Sequence, residues 1–255
     1  MLAMRGIPSF LCATAKRAVH RPTNATWEVP AAVVVTPPRR LLMTPAVEPP
    51  PEVTESPTSL VLTEDEGFYP SSWHDAFSAH IPQQHGMPYS RFSMAADTAN
   101  FDAALQEMKN DLASQGSSTV LVTRGPWMSW MASFYLESLP LAGLVMVDPM
   151  QLDDMNGINQ FELQYEKLGL VDTLQYKLYQ EFSENWDHWT LKLESGSVPM
   201  LVLYTNVRPG YKRCAENTAL RHGDNVPVLK MPSTARSHAD DCIGEVANWI
   251  NHNIM

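Results

Sequence analysis

Few residues of this 255-residue chain stand in a pattern that chemistry could use. His74, His80 and His85 come nearest to a metal set. Their spacings of six and five do not bring the imidazoles to one helical face, and no further ligand cluster follows. They read as surface histidines, and no metal is expected. Cys12, Cys214 and Cys242 lack metal spacing and are too few for a secreted disulfide scaffold, so free thiols in a reducing compartment are the simpler expectation. Neither a P-loop nor a dinucleotide glycine pattern occurs, and no cofactor is expected. The hydroxyls of Ser129 and Ser133 remain. A serine attacks a carbonyl only beside a base that an acid orients.

Both serines lie in STVLVTRGPWMSWMASFYLESLPLAGLVMVDP, from Ser118 to Pro149. The run from Thr119 to Thr123 fits a strand buried on both faces of a parallel sheet. Gly125 permits a tight turn, and Pro126 suits a first helical position, where a missing N–H goes unnoticed. From Trp127 to Leu139 apolar residues occupy nearly every helical face, which predicts a buried helix. A second strand, Leu144 to Val147, stops at Asp148-Pro149, completing a βαβ unit. Ser129 lies one helical turn past Gly125, away from the turn where a substrate would meet the chain.

This unit resembles the centre of the α/β-hydrolase fold, where a strained elbow of pattern G-x-S-x-G carries the nucleophile. Laid on this sequence, the nucleophile position is Gly125 and the flanking small residues become Thr123 and Trp127. The family's first matching strand, here Ser59 to Thr63, ends in a His-Gly loop that contributes an oxyanion-hole N–H; this chain has Thr63-Glu64, followed by Asp65 and Glu66. Clustered carboxylates there would repel a developing oxyanion. The triad acid falls at Arg208, whose guanidinium cannot stabilise an imidazolium, although some relatives place that acid where Asp148 stands. His238 lies near the family's catalytic histidine, and a loop histidine near a helix N-terminus explains it equally well. If the chain were active, Ser129 or Ser133 with Asp148 and His238 would be the set.

The remaining order is that of the same fold over residues 58–255, a mostly parallel sheet flanked by helices. Helices are expected at Ser71 to His80, at Asn100 to Ser114 with Asn100 as cap, and at Asp240 to Asn251. Further strands are expected at Tyr89 to Met94, Val198 to Thr205 and Val226 to Met231. Residues 150–197 resemble the family's helical cap, with helical pattern at Phe161 to Leu168 and Val171 to Trp189. Its stripe of Tyr176, Tyr179, Phe182, Trp186 and Trp189 reads as core, pocket lining or a partner-facing surface. Residues 1–27 are basic and free of acidic side chains, the composition of a mitochondrial transit peptide, with a plastid as the alternative. Residues 28–57 carry eight prolines and read as an extended arm or linker.

A net charge of −10 argues against direct nucleic-acid contact through a broad basic surface. No apolar run approaches the roughly 18 residues of a membrane span, so the protein is expected to be soluble or membrane-peripheral. The changes at Gly125, Thr63-Glu64 and Arg208 lead to the expectation of a non-enzymatic hydrolase-like subunit, held among other protein subunits of a large mitochondrial complex such as a respiratory, ATP synthase or ribosomal assembly. The alternatives are a divergent serine hydrolase acting on a small ester or thioester, or a module that binds a ligand in the old pocket.

Overall fold

The computed structural model describes residues 42–116, 118–185, 191, 196–206 and 208–255. The basic segment 1–27, the first part of the arm, and Trp186 and Trp189 lie outside these residues. Six strands, β1 (Ser59–Glu64), β2 (Tyr89–Phe92), β3 (Thr119–Arg124), β4 (Gly143–Val147), β5 (Met200–Tyr204) and β6 (Val228–Lys230), form one parallel sheet in the order β2-β1-β3-β4-β5-β6. The chain runs from β1 outward to β2, then returns past β1 to β3. Such a reversal opens a crevice beyond the carboxyl ends of the two strands.

Strand alternation explains the layering. Val61, Leu121, Leu144, Met146 and Val202 point into one core, shared with α2 (Phe101–Ala113), α3 (Pro126–Leu136), α6 (Pro209–His222) and the cap helices α4 (Met155–Leu168) and α5 (Leu174–Glu184). Leu60, Leu62, Val120, Val122, Val145 and Leu201 point into the other, under α1 (His74–His85) and α7 (Asp240–Asn253). Both faces are thus covered, which is why the strands are continuously apolar. No described helix is long and apolar enough to cross a membrane.

The central strand, turn, helix and strand stand where the sequence places them, with α3 ending at Leu136. Asn100 caps α2 by accepting from the Ala103 N–H at 2.9 Å. The helix expected over residues 71–80 starts instead at His74. Ser72 is held outside it, donating to Glu64 and accepting from the His74 N–H, and the helix continues to Gly86, in the left-handed region at φ 65°. The helical pattern of 171–189 becomes α5, which begins only after Thr173 caps it. Helix α6 is not announced by periodicity. Its buried residues Tyr211, Cys214, Ala215, Thr218, Ala219 and His222 are spaced correctly, but most are small or polar, so their apolar signal is weak.

Part of the proline-rich segment is not a free linker. Thr44 N–H donates to Arg91 O at 2.8 Å and Val47 N–H to Tyr89 O at 2.7 Å, which lays residues 43–47 antiparallel along the outer edge of β2. An edge strand so covered offers few free backbone groups to another chain.

Candidate functional site

The crevice between the ends of β1 and β3 is where a hydrolase fold would hold its nucleophile. Gly125 follows β3 with φ 116° and ψ 161°, a conformation essentially confined to glycine. Its N–H donates to Val147 O at 2.9 Å, and Pro126 begins α3. The residue after the nucleophile supplies one oxyanion-hole N–H in this fold. Pro126 has none to give.

The next two amides of α3 are already used. Asp65 N–H donates to Arg124 O at 2.8 Å, extending the β1–β3 pairing by one residue and turning the Asp65 side chain across the α3 N-terminus. Its carboxylate there accepts from Trp127 N–H and Met128 N–H, both at 2.9 Å, and from the Tyr165 hydroxyl of the cap at 3.1 Å. Positive partial charge at a helix start attracts an anion. The chain places its own there. A Cβ on Gly125 would stand 2.4 Å from Asp65 Cγ, so the carboxylate fills the space of an elbow side chain.

Burial pushes the Asp65 carboxyl up to about 7, outweighing the two amides and Tyr165, which pull it down. A group whose folded value exceeds its unfolded one stabilises the fold at low pH. That contribution is complete below pH 3.8 and lost as pH rises through about 7. Asp65→Asn is therefore expected to remove a stability slope of up to about 1.4 kcal/mol per pH unit across that window. Urea unfolding of both proteins at pH 4 to 8 checks this, and parallel pH curves would contradict it.

The neighbouring carboxylate is used differently. Glu64 is ion-paired with Arg124, whose side chain is fully buried, and accepts from Trp73 N–H at 2.9 Å. The Arg124 guanidinium lies 3.8 Å from the Tyr69 ring centre and 4.3 Å from that of Trp73, and donates to the carbonyls of Ser71 and Arg236 at 2.8 Å. The expected cluster of repelling carboxylates is thus resolved into two satisfied sites, with Glu66 exposed.

The other candidate residues do not meet. Asp148, at φ 50° after β4, accepts from Thr205 N–H at 2.7 Å, Thr205 Oγ1 at 2.5 Å, Tyr69 Oη at 3.3 Å and Arg236 Nη1 at 3.0 Å. An arginine, rather than an imidazole, faces this acid. His238 is exposed, two residues beyond the 3-10 turn Ser233–Arg236 that aims Arg236 inward. Ser129 is buried against Thr123 Oγ1 at 2.9 Å. Ser133 lies 3.4 Å from Nε2 of His222, a different histidine, whose pKa burial lowers to about 4. Arg208 is exposed, its guanidinium 3.5 Å from Gln164 Oε1, far from the role of a triad acid. Among the described residues, no hydrogen bond joins Ser129, Asp148 and His238. The aromatic stripe is cap core where it is described: Phe182 packs on Phe101, Trp130 and Phe134, and Tyr176 and Tyr179 on Phe161.

Sequence reasoning missed Asp65 and Arg236. The first was one of three consecutive acids, and the second stands two residues before the histidine that drew attention. Pro126 carried a readable signal, since a proline after an elbow removes a donor.

No protein-family model and no curated sequence matches the chain. Among solved structures it is similar to the Vlm2 thioesterase domain bound with a dodecadepsipeptide (TM-score 0.51, 13% identity, 78% of this chain and 97% of that one). It is also similar to 1H-3-hydroxy-4-oxoquinoline 2,4-dioxygenase (0.51, 12%, 84% and 96%) and to an α/β hydrolase from Sphaerobacter thermophilus DSM 20745 (0.50, 9%, 77% and 94%). The chain has the α/β-hydrolase fold. Identities this low show the fold alone, and the chemistries named for these neighbours differ.

Proposed function

We propose that this chain is a non-catalytic α/β-hydrolase-fold protein that works as a structural or interaction subunit of a mitochondrial multiprotein complex. The observation that carries the first half is the elbow. Gly125 bears no side chain, Pro126 lacks the N–H an oxyanion would need, and Asp65 holds the next two amides of α3. The Asp65 carboxyl occupies the amides at the place where negative charge would develop, and in its ionised form it also repels that charge, so it opposes acyl transfer. The mitochondrial assignment is supported by the basic, acid-free composition of residues 1–27, and the role among protein subunits by the lack of an assembled nucleophile, base and acid among the described residues.

The test treats gently solubilised organelles with a fluorophosphonate probe and then separates them by gradient sedimentation. The chain is expected to stay unlabelled and to sediment with a large assembly. Labelling lost in Ser129→Ala would establish the divergent hydrolase instead. Sedimentation of an unlabelled chain near monomer size would remove the subunit role and favour a ligand-binding module.

A further inference from the structure

The sheet has two edges, and only one is covered by described residues. At β2 the chain's own residues 43–47 take the outward backbone groups. At β6 the inward groups are identified by two bonds, Val202 N–H to Pro227 O at 3.0 Å and Met231 N–H to Tyr204 O at 2.9 Å. Residues 227 and 231 face β5, and by strand alternation Leu229 does too. Val228 and Lys230 therefore direct their N–H and C=O groups away from the sheet, with no backbone partner among the described residues.

Two grooves lie near this edge. One of about 640 Å³ runs between β6 and α6, lined by Leu220, Val226 and Val228; a second of about 480 Å³ lies at residues 222–227, which lead into β6, against Trp249. Leu220 is 68% exposed and Leu229 37%. Two large apolar side chains so far exposed beside an unpaired strand mark an interaction surface.

From this we infer that the β6 edge is a docking surface for a second copy of this chain, pairing β6 antiparallel to its equivalent about a two-fold axis through Leu229. In that register Val228 of each copy faces Lys230 of the other. The outward groups of these residues exchange four backbone hydrogen bonds, and the two Leu229 side chains meet at the axis, where the alternation requires a non-hydrogen-bonded pair. An isologous contact must be self-complementary. Charge is compatible with the same occupant: the chain carries −10 overall, whereas Lys212, Arg213 and, on β6, Lys230 accompany Glu216 and Asp224 here, so two copies meet without the like-charge repulsion of a uniformly acidic face. Lys212 and Glu216 already form an ion pair at 3.4 Å. The product is a continuous sheet through both copies.

Sedimentation equilibrium of the full chain at tens of micromolar tests this inference. The expected result is a dimer. Val228→Pro deletes an outward N–H and leaves the β5 ladder intact, and Leu229→Lys sets two ammonium groups face to face at the axis. Both are expected to sediment as monomers with unchanged circular dichroism. A monomeric wild-type chain overturns the inference, as does a folded form of either variant that still dimerises. Should Val228→Pro fail to fold, Leu229→Lys decides alone.

Discussion

Replacing Gly125 with serine, the change that would restore a hydroxyl to the elbow, is expected to yield a protein without esterase activity and several kcal/mol less stable. Two costs arise. The backbone at φ 116° and ψ 161° lies where a side chain costs about 1–3 kcal/mol. The new Cβ would also stand 2.4 Å from Asp65 Cγ, and forcing atoms into filled space costs about 1–3 kcal/mol more. Activity stays absent because Pro126 still offers no N–H and Asp148 still pairs with Arg236. Denaturant unfolding measures the loss. Gly125→Ala, which adds the Cβ alone, should lose a similar amount, and a Gly125→Ala protein as stable as wild type would locate the strain elsewhere. A hydrolytically active Gly125→Ser protein would overturn this account of the site.

The second large effect concerns Arg124. Arg124→Met is expected to destabilise by about 3–5 kcal/mol, because it leaves the Glu64 carboxylate, only 5% exposed, without its counter-ion. The ring faces of Tyr69 and Trp73 would also lose the cation lying against them. A buried pair is costly to break and often cheap to replace as a whole. Glu64→Leu combined with Arg124→Met should therefore recover much of the loss. Chemical denaturation of the single and double variants gives the coupling, and equal stability of wild type and Arg124→Met would show that the pair contributes nothing.

How much was legible follows from where each signal resides. Local patterns carried the central unit: the apolar run of β3, the Gly125-Pro126 turn and the all-round apolar face of α3 are written in adjacent residues. The cap of α2 was likewise one asparagine before an amphipathic stretch. The occupied elbow was not legible, because Asp65 meets Trp127 across 62 residues and nothing local distinguishes it from Glu64 and Glu66. Only the fold separates the three acids, sending one to an arginine, one to a helix start and one to solvent. Arg236 and His238 are a similar case. The 3-10 turn decides which of the two faces Asp148, and its two-residue offset lies below what a loop reveals by pattern. Helix α6 escaped because alanine, threonine and cysteine can line a buried face without raising its apolar content.

The bond from Leu42 N–H to Asp111 Oδ2, at 2.9 Å, and the bridges at Met43 and Val47 determine what trimming from the N-terminal side would do to the sheet. A truncation that stopped before Leu42 would leave the β2 border sealed. One that trimmed past Val47 would bare Tyr89 to Phe92 on the side opposite β6. A two-ended sheet can recruit neighbours without limit, whereas a one-ended sheet stops at a pair. The strap thus sets the difference between a particle of fixed size and a growing fibre.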